Sequence, residues 1–176
     1  MQIAEERGAK AMYKVLARRD EKSKWIVKRV AVFSKANASE ISARFEKEGF
    51  EITYLDVNED GIISIDDLEN NVQDDTILIT IMFANNEIGS IQPIKEIGSI
   101  ADKRGIIFHT DCVQAIGNEK INVEKMKIDA LSMSAHKFYG PKGVGALYVK
   151  DGINFNKIQD GGHQERNKRA GTENIA

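Results

Sequence analysis

Apolar and polar positions along the chain divide it into short strands separated by amphipathic helices. Residues 51–57 alternate polar and apolar, the period-2 signature of a strand with one face buried. Residues 76–83 form a near-continuous apolar run, as a parallel strand covered on both faces requires. Further strands are predicted over 25–33, 105–112, 130–134 and 143–150, the last after a tight glycine-rich turn. Between them the period changes. Met12, Val15 and Leu16 share one face of a first helix that runs out in the basic stretch 18–24. Ser39 caps a helix carrying Ile41 and Phe45 and closed by Gly49. Ser64 with Asp67 makes a capping pattern ahead of Leu68 and Val72. Pro93 opens a helix with Ile94, Ile97, Ile100 and Ala101 inward, and Gly105 ends it. Asn122 caps a short helical turn. Strands alternating with helices predict an α/β fold, three layers around a mostly parallel sheet.

In such sheets ligands bind beyond the carboxyl ends of the strands. Asn85-Asn86, Asp111 and Lys137 all fall at predicted strand ends. Composition narrows the chemistry further. The 176 residues, 41% hydrophobic and 30% charged, suit one soluble globular domain, and the net charge of −2 gives no electrostatic reason to expect nucleic acid or an anionic membrane as partner. No apolar run reaches membrane-span length and the first residues are charged, so a cytoplasmic location is expected. The single cysteine, Cys112, excludes a disulfide framework and a cysteine-rich zinc site, and no metal site is expected.

Residues 56–67 come close to a calcium-binding loop, with oxygen donors at Asp56, Asn58, Asp60 and Ser64 and a glycine at Gly61. The last loop position is Asp67, too short for the usual bidentate glutamate; a strand rather than a helix enters the loop, and no second loop pairs with it. The stretch is read as a polar turn before a capped helix.

Lys137 lies in the segment Ser-Ala-His-Lys-Phe-Tyr-Gly-Pro-Lys-Gly, at the end of an apolar strand and directly before the turn. A lysine so placed can form an imine with a carbonyl compound, and pyridoxal 5′-phosphate is the natural partner because its ring acts as an electron sink. That sink works best with a carboxylate beside the pyridine nitrogen, for which Asp111 is the candidate. Gln114 and Asn86 can donate to the ring's phenolic oxygen, and Ser134 and His136 can bind the phosphate. Singly each has an ordinary use: a turn cap for Asp111, a surface amide for Gln114, a solvated amine for Lys137. Their convergence at strand ends carries the argument.

The segments Asn85-Asn86-Glu87-Ile88-Gly89, His109-Thr110-Asp111-Cys112-Val113-Gln114 and residues 134–143, in this order and spacing, resemble cysteine desulfurases of the class V aminotransferase group of fold-type-I pyridoxal phosphate enzymes. Residues 161–166 and Arg169-Ala170-Gly171-Thr172 continue the likeness. The resemblance implies the cofactor-binding large domain of that fold, truncated at both ends: one incomplete domain over 1–176, with 36–176 matching well and 1–35 weakly. It implies that Lys137 is the cofactor lysine and the acid/base on the substrate, Asp111 the pyridinium partner, Asn86 and Gln114 ligands of the ring oxygen, and Ser134 and His136 phosphate ligands. It further implies that Thr172 reaches the neighbouring subunit's cofactor phosphate in a homodimer. The implied reaction takes sulfur from L-cysteine to leave alanine, through an enzyme persulfide, for a sulfur-acceptor or scaffold protein in iron–sulfur cluster or thiolation pathways.

The chain departs from the family pattern in three places. A glycine-threonine phosphate loop is missing ahead of the first helix, Lys35 stands where a histidine stacks on the cofactor, and the sequence stops before the persulfide-cysteine loop and the substrate-binding arginine. Little or no desulfurase activity is therefore expected of these residues alone. Cys112, directly after Asp111, is read as packing beside the cofactor rather than as a persulfide carrier. The alternatives are another class V enzyme, either a selenocysteine lyase or an aminotransferase, and a catalytically dead assembly or dimerisation module.

Overall fold

The computed structural model describes residues 29–33, for which only the backbone is considered, together with 45, 47, 49–155 and 160–172. The expected helix around Met12, Val15 and Leu16, the helix start at Ser39 and the position of Lys35 lie outside the described residues.

Six strands form one sheet: β1 (Arg29–Phe33), β2 (Glu51–Leu55), β3 (Thr76–Thr80), β4 (Ile107–Asp111), β5 (Ala130–Ser134) and β6 (Gly145–Val149), in the order β2-β1-β3-β4-β5-β6. All neighbours are parallel except β5 and β6, which pair antiparallel from Ala130↔Val149 to Ser134↔Gly145. The tight turn between them forces that reversal, since a parallel return needs a crossover. Residues 81–83, expected to extend β3, leave the regular ladder but keep its lateral bonds: Ile81 N–H donates to the His109 carbonyl at 3.2 Å and Phe83 N–H to the Asp111 carbonyl at 2.8 Å. The carboxyl ends of β3, β4 and β5 therefore stand side by side and point the same way.

Alternate residues of the central strands enter two cores. On one face Ile79, Ile81, Phe108 and Leu131 pack with Leu68 and Val72 and with Ile94, Ile97, Ile100 and Ala101; on the other, Leu78 packs with Phe45 and Phe50. Neighbouring Leu78 and Ile79 are both fully buried, which is why β3 reads as an unbroken apolar run. The phenyl rings of Phe45 and Phe50 meet edge to face at 5.3 Å, across a chain reversal at Gly49.

Two helices cover the first face. Helix α1 (Ile65–Asn71) begins at Ser64, whose Oγ accepts from Asp67 N–H at 3.2 Å, and buries Leu68. Helix α2 (Ile94–Arg104) follows Pro93, turns Ile94, Ile97, Ile100 and Ala101 inward, and ends at Gly105 in the left-handed conformation with φ 65°. Gly98 lies on its buried face directly against the Met126 carbonyl, where a side chain has no room. Asn122 Oδ1 accepts from Lys125 N–H at 2.9 Å and starts a turn rather than a regular helix.

Candidate active site at the strand ends

The loops beyond β3, β4 and β5 carry the candidate residues. Asp111 closes β4 and is buried. Its Oδ1 accepts from Val113 N–H at 2.8 Å, which bends the chain sharply out of the strand. Burial raises its pKa from 3.8 to about 6 against the smaller opposing pull of that hydrogen bond. Gln114 is half-buried in the same turn, and its carbonyl accepts from Asn118 Nδ2 at 3.3 Å.

Ser134 closes β5, and its Oγ lies 2.8 Å from His136 Nδ1. A single 3-10 turn, Ala135–Lys137, then ends at the exposed Lys137. Ala135 pins this turn: its N–H donates to the Val144 carbonyl at 2.9 Å, and its own carbonyl accepts from Phe138 and Gly140 N–H at 3.0 and 2.8 Å. A Cβ at Gly140 would meet Ala135 Cβ at 2.7 Å, so the turn closes only over glycine. Beyond β3, Ala84 bridges Ile91, and Asn85 Oδ1 accepts from Glu87 N–H at 2.8 Å and Ile88 N–H at 3.1 Å. Asn86 sits on that turn, exposed.

Asn86, Asp111, Gln114, Ser134, His136 and Lys137 thus all lie at or just beyond the carboxyl ends of three adjacent parallel strands. Thr172 does not join them through a hydrogen bond among the described residues. It is exposed, one residue after Gly171, whose N–H donates to Gln164 Oε1 at 3.3 Å. That bond folds the last segment on itself around Glu165 and Arg166, which hold left-handed backbone at φ 49° and 53°.

Polar pairs beneath the site were not legible in the sequence. Thr80 Oγ1 and His109 Nδ1 lie 2.7 Å apart, buried between β3 and β4, and burial lowers the His109 pKa from 6.5 to about 4. The imidazole is therefore neutral at physiological pH. Cys112 is fully buried, and burial, aided by the Asp111 charge, pushes its thiol up to about 12, so it is inert as a nucleophile. The loop resembling a calcium site uses two of its donor oxygens internally. Asn58 Oδ1 accepts from Asp60 and Ile62 N–H at 3.1 and 2.9 Å, and Ser64 Oγ caps α1. Among the described residues no group of His, Cys, Asp and Glu is placed to hold a metal, and no helix is long and apolar enough to cross a membrane.

The family model for aminotransferase class-V matches residues 11–176. The chain belongs to that family. Cysteine desulfurase IscS of Clostridium botulinum is 52% identical over 169 residues, covering 89% of this chain and 43% of the relative. Cysteine desulfurase IscS of Methanosarcina thermophila is 59% identical over 133 residues, covering 76% of this chain and 33% of the relative. Among solved structures, one described as SspA in complex with cysteine superposes with a TM-score of 0.78 at 39% identity, covering 84% of this chain and 44% of that one. A NifS-like protein gives 0.77, also at 39% identity, with 84% and 42% covered. The chain spans less than half the length of these relatives.

Pyridoxal 5′-phosphate is the cofactor of this family, and the strand-end group fits it. Asp111 is a buried carboxylate with one oxygen on a backbone N–H, and burial raises its pKa. A pyridinium N–H is a partner suited to such a carboxylate. Ser134 and His136, already within hydrogen-bond distance of each other, present donors suited to a phosphate.

Proposed function

We propose that the chain is the cofactor-binding part of a cysteine desulfurase. The observation that carries this reading is Asp111, a buried carboxylate at the end of β4 with Lys137 on the turn after the neighbouring β5, in a chain 52% identical to a cysteine desulfurase. When bound, pyridoxal phosphate supplies an electron sink for bonds at the substrate's α-carbon. The chain's own residues do the rest. Lys137 Nζ anchors the cofactor's carbonyl carbon and carries protons to and from the substrate. The Asp111 carboxylate, already charged at neutral pH with its pKa near 6, would pair with the pyridine nitrogen and hold it protonated. Asn86 and Gln114 would donate to the phenolic oxygen, and Ser134 Oγ and His136 would hold the phosphate.

The substrate is L-cysteine, with sulfur passing to an acceptor or scaffold protein. The reading extends to a cytoplasmic homodimer in which Thr172 reaches the partner's phosphate. Since Cys112 is buried with its pKa near 12, it packs beneath the site and carries no sulfur. Adding L-cysteine to the cofactor-loaded chain is the test. The reading expects the cofactor's absorbance to respond to L-cysteine, and Lys137→Ala to abolish the response. A response to other amino acids but not to cysteine would place the chain with a different class-V activity.

A further inference from the structure

Gln92 is polar, lies between the exposed Ile91 and the half-buried Pro93, and is only 3% exposed. Its side chain satisfies two backbone groups of one distant hairpin: Oε1 accepts from Ile63 N–H at 3.0 Å, and Nε2 donates to the Gly61 carbonyl at 2.7 Å. Its backbone is held as firmly, the N–H donating to the Phe83 carbonyl at 2.9 Å and the carbonyl accepting from Ile94 N–H at 2.8 Å. The hairpin it grips is the loop whose oxygens mimic a calcium site, closed by the Val57↔Ile63 bridge and by Asn58 N–H donating to the Ile62 carbonyl at 2.9 Å. The tip of that hairpin touches the turn that carries Asn86. Gly61, in the left-handed conformation at φ 74°, lies directly under the end of the Ile88 side chain, and Ser90 Oγ reaches the Gly61 carbonyl at 3.5 Å. The turn itself is closed by Asn85 N–H to the Ser90 carbonyl at 2.9 Å.

We infer that Gln92 is a positioning residue for the cofactor site. By clamping Gly61 and Ile63 it makes residues 57–63 a brace against Ile88 and Ser90, and the brace fixes the Asn85–Ser90 turn so that Asn86 meets the cofactor's phenolic oxygen. The loop is thereby a structural prop built from turn chemistry, with Asn58 Oδ1 and Ser64 Oγ bonded to backbone N–H groups. The inference rests on the proposed role of Asn86.

A double-mutant cycle on the 176-residue chain tests it, reading pyridoxal phosphate affinity by fluorescence titration and stability by urea unfolding. Losing or misplacing one ring-oxygen hydrogen bond weakens cofactor affinity roughly tenfold, so Asn86→Ala and Gln92→Ala each produce that loss. In the Asn86→Ala background, Gln92→Ala should cost no further affinity while still lowering stability. Should Gln92→Ala not fold, Gln92→Glu replaces it in the same cycle, since it keeps the acceptor for Ile63 N–H and loses the donor to Gly61. Additive affinity losses, or a Gln92 variant that lowers stability with affinity unchanged, would overturn the positioning role. Unchanged affinity in Asn86→Ala alone, or no cofactor binding at all, would instead overturn the site reading beneath it.

Discussion

Asp111→Asn should make the cofactor-free chain more stable at neutral pH while weakening its hold on the cofactor. Burial raises the Asp111 pKa from 3.8 to about 6, so the folded chain holds this proton more tightly than the unfolded chain. The stability tied to that proton is fully present below pH 3.8 and lost as pH rises through about 6, a cost of about 3 kcal/mol above it. His109 runs the other way. Its pKa falls from 6.5 to about 4, so its contribution is present above pH 6.5 and lost as pH falls through about 4, again by about 3 kcal/mol. In the window between pH 4 and 6 the two slopes oppose and nearly cancel. The substituted amide keeps an oxygen for Val113 N–H but has no proton to lose. The variant therefore exposes the His109 slope, and its advantage over the parent grows from nothing near pH 4 to about 3 kcal/mol at pH 7. Urea melts of both chains from pH 4 to 8, without cofactor, measure this difference. Burying the new amide offsets the whole difference curve but leaves its pH slope. A difference independent of pH would refute the assignment of the strain to Asp111, as would one that shrinks as pH rises.

Other expectations follow from the packing. Gly98→Ala drives a methyl into the Met126 carbonyl and should cost about 1–3 kcal/mol, despite alanine's better helix propensity, as urea melts will show. Phe108→Ala empties a fully buried position in the main core and should cost about 3–5 kcal/mol by the same measure. Cys112 should resist a thiol reagent in the folded chain at pH 8 and react promptly in denaturant; equal rates in both states would contradict its burial.

Features set by near neighbours in the chain were legible before the fold was. The Ser64–Asp67 cap, the inward stripe from Ile94 to Ala101, the Gly105 stop and the strand ends at Asp111 and Ser134 each need only a few residues of context. Strand lengths were less legible, because residues 81–83 and 143–144 are apolar or small yet leave the regular ladder. What escaped altogether depends on partners far along the chain. Gln92 with Ile63 and His109 with Thr80 are each 29 residues apart, brought together by parallel crossovers. The raised Asp111 pKa likewise follows from burial, which a sequence pattern does not quantify. The calcium-like spacing shows the converse: its donors match a local pattern, but the fold uses two of them, Asn58 Oδ1 and Ser64 Oγ, on backbone N–H groups.

The central claim is that Lys137 holds pyridoxal phosphate at the strand ends, and reductive trapping tests it most directly. The chain is incubated with stoichiometric pyridoxal phosphate, reduced with borohydride, digested and mapped by mass spectrometry. The account predicts a phosphopyridoxyl group on Lys137, weakened by Asp111→Asn. Label spread over exposed lysines such as Lys95, Lys125 and Lys142, with Lys137 no more modified than they are, would contradict it.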